Sequence, residues 1–265
     1  MRLSRVSLAA VALVATSLLA VGCSAAADPA PSASVPSGDD APTGSLTVFA
    51  AASLGAAFDE IAEAFEEENP GVDVQPITYD GSSTLATQLL GGASADVFAS
   101  ADENNMAKVV DGGLAADPVL FASNTLVIAV PAGNPAGITS LEDLADADAT
   151  VVLCAPEVPC GAASQTLLQN AGVTVTPASS EQNVTAVLTK VAAGEADAGL
   201  VYATDVVDAE GVESIVPDGA DEVVNHYPIV ALTDAPEPRN AAAFVAFVAG
   251  ERGRSILESF GFGPA

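Results

Sequence analysis

Small hydroxyl side chains are the residues of this chain whose positions could support chemistry. Ser53 and Ser82 each follow a predicted strand and begin a predicted helix. At such helix starts, free backbone N–H groups and a serine hydroxyl form a neutral cradle for an anion. No lysine or arginine occurs from residue 6 to residue 107, so an anion held here is held by dipoles. The alternative is that both serines only cap their helices.

Catalytic arrangements are sparse in the sequence. The chain has neither a G-x-S-x-G elbow nor an S-x-x-K motif, and its single histidine is His226. An extracellular serine hydrolase that uses Ser53 or Ser82 with His226 is one alternative, and a ligand-free interaction module is another. The acidic run Glu66–Glu68 lies on the polar side of a predicted surface helix. The sequence therefore favours a binding protein over an enzyme.

The charge balance excludes one class of partner. The chain of 265 residues has 35 acidic and 7 basic residues, which gives a net charge of −28. Nucleic acid is therefore not expected as a partner. We interpret most of the carboxylates as a solvated surface that says nothing about the ligand.

The N-terminus predicts export. Residues 1–22 carry Arg2 and Arg5 before an uncharged run, which is typical of a secretory signal peptide. Small residues before Cys23 resemble a lipobox, so we expect lipidation of Cys23 and attachment to the cell membrane; an uncleaved membrane anchor is the alternative. Residues 23–44 are rich in Ala, Pro, Ser and Asp and predict a disordered tether.

The two remaining cysteines are expected to pair. Cys154 and Cys160 lie outside the cytoplasm if the signal is correct, and a disulfide is the expected outcome there. Two unpaired thiols are the alternative. A metal site is not expected, because the chain has one histidine and no second cysteine pair.

The elements that would position these residues follow an α/β rhythm. Leu54, Phe58, Ile61 and Phe65 share one face of a predicted helix. The apolar runs predict strands at 46–50, 72–79, 96–100, 125–130, 150–154, 198–202 and 227–232. Helices are predicted after 81–84 and at 102–110, 141–144, 161–170, 183–193, 240–248 and 254–260. This pattern alone does not decide between two separate domains and two lobes that the chain crosses twice.

Five segments together resemble a known family. They are, in order, VFAAASL at 48–54, GSSTLA at 81–86, ADVFASAD at 95–102, PEVPCG at 156–161 and GLVY at 199–202. They look like the successive motifs of periplasmic molybdate-binding proteins of ABC transporters, the ModA family. The resemblance covers nearly all of residues 45–262.

The resemblance implies the topology that periodicity leaves open. It is that of the type II periplasmic-binding-protein fold, with two α/β lobes joined by two chain crossings and a ligand cleft between them. Lobe 1 would comprise 45–124 and 227–265, and lobe 2 would comprise 125–226. The chain would be an extracytoplasmic lipoprotein that delivers its ligand to the permease of an ABC importer, without a cofactor and as a monomer.

The resemblance also implies the ligand contacts. Ser53 and Ser82 would each offer hydroxyl and amide, although the register of the second motif also allows Ser83. The other lobe would offer the amides of Cys160 and Val184 and the hydroxyl of Tyr202. No protein side chain would bind the metal atom directly.

The ligand implied is molybdate or tungstate, held by hydrogen bonds in a closing cleft. A cradle that contains only donors prefers a fully deprotonated dianion, which disfavours phosphate, and sulfate has shorter bonds. Asp80 complicates this expectation, because a carboxylate that faces the cleft would accept a proton from the ligand. Another oxyanion, such as sulfate or phosphate, is therefore the alternative ligand.

Overall fold

The computed structural model describes residues 41–265. The predicted signal peptide, Cys23 and residues 23–40 of the predicted tether lie outside the described residues. Among residues 41–265, no helix has the length and apolar character needed to cross a membrane.

The first part of the chain alternates short strands with helices. Its strands are β1 (Gly44–Leu46), β2 (Val48–Ala51), β3 (Val72–Val74), β4 (Thr78–Asp80), β5 (Val97–Ala99) and β6 (Val119–Asn124). Its helices are α1 (Gly55–Glu68), preceded by a 3₁₀ turn at Ala52–Leu54, α2 (Ser82–Leu90) and α3 (Glu103–Asp111).

The remaining elements follow the same alternation. Next come β7 (Leu126–Pro131), β8 (Val151–Cys154), α4 (Pro159–Ala171), β9 (Ser179–Glu181), α5 (Val184–Ala192), β10 (Ala198–Tyr202) and β11 (Val212–Ile215). The chain then forms β12 (Asn225–Ala231), α6 (Pro238–Val248) and α7 (Glu251–Ser259).

Two five-stranded sheets organise these elements. One has the order β4-β2-β5-β12-β6 and the other the order β11-β7-β10-β8-β9, while β1 and β3 form a separate parallel pair. We call the first sheet with its helices the first lobe, and the second sheet with α4 and α5 the second lobe. The chain passes from one sheet to the other at Thr125 and returns over residues 216–224.

The first lobe buries both faces of its sheet. Along β2, Val48 and Ala50 belong to the apolar cluster that includes α1, α6 and α7, whereas Phe49 belongs to the cluster on α2 and α3. This alternation is the two-residue period of a strand. The sheet is therefore covered on both sides, and the ends of its strands are the surfaces left for a ligand.

The predicted apolar face of α1 is confirmed. Phe58, Ile61 and Phe65 of α1, with Leu54 just before it, are at most 1% exposed. Phe58 and Phe65 each pack edge-on against Phe244 of α6. The packing fixes the start of α1, and with it the turn that carries Ser53.

Several strand predictions differ from the structure for identifiable reasons. The strand predicted at 72–79 is divided into β3 and β4, because Pro76 has no N–H to donate to a ladder. The strand predicted at 46–50 is interrupted at Thr47, whose N–H donates to the Asp96 carboxylate. The sequence interpretation missed β6, β9 and β11; β9 and β11 are short edge strands with polar residues.

Candidate functional site

A small cavity lies between the two lobes. Counted as the space that the centre of a water molecule can occupy, its volume is about 10 Å³. It is lined by Ala51, Ala52, Ser53, Asp80, Gly81, Ser82 and Ala101 from the first lobe and by Val158, Pro159, Cys160, Asn183, Val184 and Tyr202 from the second. All five predicted ligand contacts are therefore brought to one cavity of a size for one small solute.

The two serines are prepared as hydrogen-bond donors. Ser82 is fully buried, and its hydroxyl accepts a bond from the backbone N–H of Ala101 at 3.0 Å. The Ser53 hydroxyl lies 3.0 Å from the hydroxyl of Tyr227 and can accept from it. A hydroxyl that accepts from a neighbour still has its own proton to donate. The serine protons are thus available to a ligand.

Three helices begin at the cavity, and their first N–H groups have no partners within the helix. Neither α2 nor α4 has a side chain that caps its N-terminus, so the amides of Ser82 and Cys160 stay free of such a cap. Pro159, the first residue of α4, has no N–H, which makes Cys160 the first amide there. At α5 the Asn183 side chain accepts from the backbone N–H of Ala186. This cap therefore does not use the N–H of Val184, which lies two residues earlier. The positive ends of these helix dipoles favour an anion.

Tyr202 presents a third hydroxyl. It ends β10 and is 1% exposed, and its oxygen accepts a bond from the side-chain amide of Asn225 at 3.0 Å. Burial raises the pKa of Tyr202 well above its usual value, and the nearby Tyr227 and Asp102 raise it further. Burial also raises the pKa of Tyr227. Both phenols therefore remain protonated at neutral pH.

A disulfide supports the amide of Cys160. Cys154 and Cys160 are bonded, with their Cα atoms 5.8 Å apart, as expected from the sequence. The loop between them folds tightly onto α4, because a Cβ atom on Gly161 would lie 1.9 Å from the carbonyl oxygen of Ala155. The crosslink and this contact hold the start of α4 in place.

Asp80 lines the cavity, which decides the question that the sequence left open about the position of this carboxylate. Its Oδ1 atom accepts from the N–H of Gly81 at 2.7 Å and from the side-chain amide of Asn183 at 2.9 Å. Because Asn183 belongs to the second lobe, this bond spans the cleft. Asp80 is the single carboxylate in the cavity lining, and no lysine, arginine or histidine lines the cavity.

His226 is separate from both serines. It lines a different cavity together with Asp102, Glu103 and Glu222, and its Nδ1 atom is buried without a hydrogen-bond partner. The Ser53 and Ser82 hydroxyls bond to Tyr227 and Ala101 instead. Within residues 41–265 there is also no group of three His, Cys, Asp or Glu residues that could hold a metal ion. The serine–histidine pair of the hydrolase alternative is therefore not formed.

Sequence reasoning missed two residues of the cavity lining, Asn183 and Gly81, and two residues that hydrogen-bond to the lining from behind, Tyr227 and Asn225. Asn183 is visible in the sequence as a polar residue at the start of a predicted helix, which is the usual signal of an N-cap. Tyr227 and Asn225 carry no such signal, because their contribution depends on β12 returning to the first sheet. Gly81 matters because the Gln182 carbonyl of the second lobe lies too close to it for a side chain. No local sequence pattern reveals this contact.

Comparison with known proteins gives the family. The family model described as bacterial extracellular solute-binding protein matches residues 46–263. The molybdate-binding protein ModA of Mycobacterium tuberculosis is 47% identical over 233 residues, which cover 87% of this chain and 88% of that protein. These relatives are solute-binding proteins, so the chain is a binding protein and not an enzyme.

Solved structures give the fold. The periplasmic molybdate-binding protein of Azotobacter vinelandii matches with a TM-score of 0.72 at 21% identity, covering 83% of this chain and 99% of that one. The sulfate-binding protein SubI of Mycobacterium tuberculosis matches with a TM-score of 0.68 at 19% identity, covering 83% and 87%. The type II periplasmic-binding fold expected from the motifs is thereby confirmed. The chain belongs to the bacterial extracellular solute-binding proteins, and the resemblance of its motifs to the ModA family is confirmed.

Proposed function

We propose that this protein captures molybdate, and also tungstate, in the cavity between its lobes and delivers the anion to an ABC importer. The choice of ligand is supported by the relatives at 47% identity, which are molybdate-binding proteins. Tungstate is included because its charge and size are almost those of molybdate. Neither anion acts as a cofactor, since each is the cargo.

One observation carries the proposal: hydroxyls and helix-start amides from both lobes line a single small cavity without a cationic side chain. We assign the ligand contacts to Ser53, Ser82, Cys160, Val184 and Tyr202. Ser53 and Ser82 each supply a hydroxyl and a backbone N–H group, Tyr202 supplies a hydroxyl, and Cys160 and Val184 supply backbone N–H groups. Dipoles fixed in place can stabilise a dianion without a counter-ion, because they need no reorganisation when it arrives.

The donor character of the lining favours a fully deprotonated anion. Hydrogen phosphate carries an O–H group that needs an acceptor in the cavity. Asp80 is the candidate acceptor, and one of its oxygens already accepts from Gly81 and Asn183. We therefore rank molybdate above phosphate, with sulfate as the competitor that cavity size must exclude.

The mechanism we propose is capture followed by closure. The moving bodies are lobe 1, residues 45–124 and 227–265, and lobe 2, residues 125–226, except that Asn225 and His226, which pair with β6 as part of β12, move with lobe 1. Donors from both lobes meet only when the cleft is closed. The ligand therefore makes more hydrogen bonds in the closed form than in the open form, and these additional bonds shift the equilibrium towards closure. The permease then recognises the closed form.

Membrane attachment is part of the same proposal. The signal peptide at residues 1–22 would direct export, and a lipid on Cys23 would hold the protein at the membrane beside the permease. Residues 23–44 would act as the tether. We propose that the protein works as a monomer there. Mass spectrometry of the membrane-extracted protein should find the lipid on Cys23, and Cys23→Ala should release the protein from the membrane.

Calorimetric titration with molybdate, tungstate, sulfate and phosphate tests the ligand. We expect one molybdate or one tungstate per chain and much weaker binding of the other two anions. A thousandfold excess over Kd should stabilise the fold by about 4 kcal/mol. Tighter binding of sulfate or phosphate would replace molybdate as the ligand, and no response to any of the four would overturn the proposal.

A further inference from the structure

We propose that Asp80 and Asn183 form a latch across the cleft, a hydrogen bond between the lobes that keeps the closed form shut on its ligand. The inference rests on the proposed capture of an anion in this cavity. It adds two positioning residues that need not touch the ligand.

The latch bond is fixed at both ends. The Oδ1 atom of Asp80 accepts from the Asn183 side-chain amide at 2.9 Å and from the Gly81 N–H at 2.7 Å. Asn183 is the N-cap of α5, and its Oδ1 atom accepts from the N–H of Ala186 at 2.9 Å. The cap determines which way the Asn183 amide points, so its N–H₂ group is directed to the other lobe without further ordering. A bond to a charged acceptor is also stronger than one between neutral groups.

The sheet topology places this bond far from the two chain crossings, so that a rotation of the lobes separates its partners. Asp80 ends β4, which is one edge of the first sheet, whereas β6, which leads into the crossing at Thr125, is the opposite edge. In the second sheet, Asn183 follows the edge strand β9. The return crossing begins at β11, which is the opposite edge of that sheet. Four strand spacings separate each pair, which is roughly 19 Å. A lobe rotation of about 15° displaces a point at that distance by about 5 Å, enough to break the bond completely.

A steric feature at the same place shows how closely the lobes meet. The backbone of Gly81 has a φ of −59°, which any residue adopts, so local geometry does not require glycine. A Cβ atom there would instead lie 2.1 Å from the carbonyl oxygen of Gln182 in the second lobe. Gly81 therefore allows Asp80 to come within hydrogen-bond distance of Asn183.

Reversal of the bond tests the latch. Asn183→Asp keeps a good N-cap, because Asp and Asn rank equally there, but it sets a carboxylate against Asp80. The double variant Asp80→Asn/Asn183→Asp restores an amide–carboxylate bond with its direction reversed. We expect Asn183→Asp to raise the Kd for molybdate by about tenfold or more and the double variant to recover most of that loss.

Solution scattering with and without molybdate supplies the conformational readout. The single variant should stay expanded at molybdate concentrations that compact the wild type, and the double variant should compact again. Additive effects of the two substitutions on Kd, or normal compaction of Asn183→Asp, would overturn the latch. If Asn183→Asp does not fold, Asp80→Ala replaces it as the single variant. Equal affinities of Asp80→Ala and Asp80→Asn for molybdate would then overturn the latch.

The same cycle separates this inference from the proposed function. Wild-type protein that binds no molybdate refutes the function. The pair is then judged with whichever of tungstate, sulfate and phosphate compacts the wild type: that anion should leave the single variant expanded and should compact the double variant. Additive changes in that measurement would refute the latch as well.

Discussion

The phenol oxygen of Tyr202 accepts a hydrogen bond from the side-chain amide of Asn225 at 3.0 Å. Tyr202 ends β10 in the second lobe, and Asn225 begins β12 in the first. This bond therefore ties the lobes together, and because Tyr202 is the acceptor, the bond does not use the phenol proton. Because burial raises the pKa of Tyr202, that proton is retained at neutral pH.

Tyr202→Phe removes this donor and preserves the ring. We expect the affinity for molybdate to fall by about 10- to 150-fold, the equivalent of one hydrogen bond to a charged group. Tyr79→Phe is the matched control, because its hydroxyl donates to Asp59 outside the cavity. Calorimetry on both variants checks the prediction, which fails if the two lose affinity equally.

Ser82→Ala should lower the affinity by a similar factor and also destabilise the fold. The substitution leaves the Ala101 N–H without its acceptor, which costs about 1–3 kcal/mol. Ser83→Ala decides the register that the sequence left open, since Ser83 does not line the cavity. Calorimetry and thermal unfolding of the two variants measure both effects. A greater loss of affinity in Ser83→Ala would move the contact by one residue.

Gly81→Ala should prevent full closure without removing a donor. Its methyl group would meet the Gln182 carbonyl only in the closed form, and overpacking of that kind costs about 1–3 kcal/mol. We expect a lower affinity with little change in the thermal stability of the free protein. Gly55→Ala is the control, because nothing lies within 4 Å of a Cβ atom there. Equal affinities for the two variants would contradict the prediction.

Reduction of the disulfide should loosen the start of α4. Opening the short loop between Cys154 and Cys160 costs about 2 kcal/mol by chain entropy. The affinity for molybdate should also decrease, because the Cys160 amide becomes less ordered. Thermal unfolding and calorimetry with and without reductant test this, and the Cys154→Ala/Cys160→Ala variant should be insensitive to reductant. An unchanged affinity would confine the role of the disulfide to stability.

The stability of the fold should depend on pH through Asp205. Burial raises the pKa of Asp205 from 3.8 to about 7, and its bond from the Tyr202 N–H only partly opposes this effect. The folded protein thus binds more protons at Asp205 than the unfolded chain between these values, so this contribution to stability falls as pH rises from about 4 to 7.

Asp205→Asn tests the assignment, since an amide oxygen can still accept the Tyr202 bond but does not ionise. Urea unfolding at pH 5 and pH 8 should show that the wild type loses stability relative to the variant at the higher pH. Parallel behaviour of the two proteins would exclude Asp205 as the source.

Local patterns were enough to predict most elements and to single out two of the five predicted ligand contacts, Ser53 and Ser82. The strand at 198–202 matches β10, and the residues on the apolar face predicted for α1 are buried. Ser53 and Ser82 were identified because a strand-to-helix change and a hydroxyl are both local features. Cys160, Val184 and Tyr202 came only from resemblance to a family.

What sequence reasoning missed depends on contacts between distant parts of the chain. The β9 segment Ser-Ser-Glu has no apolar run, and it becomes a strand because β8 pairs with it. Asp80 and Asn183 are 103 residues apart, and neither motif indicates that they meet. The roles of Tyr227 and Asn225 likewise follow from the return of β12 to the first sheet.

The absence of cationic side chains from the cavity lining has a consequence for any partner that must distinguish a loaded protein from an empty one. The chain has a net charge of −28, and a sealed dianion would add only two units of the same sign. The long-range field of the molecule therefore changes little on loading. Under the proposed closure the shape is what changes, so a membrane transporter would have to distinguish full carriers from empty ones by the surface that the two halves present when they come together.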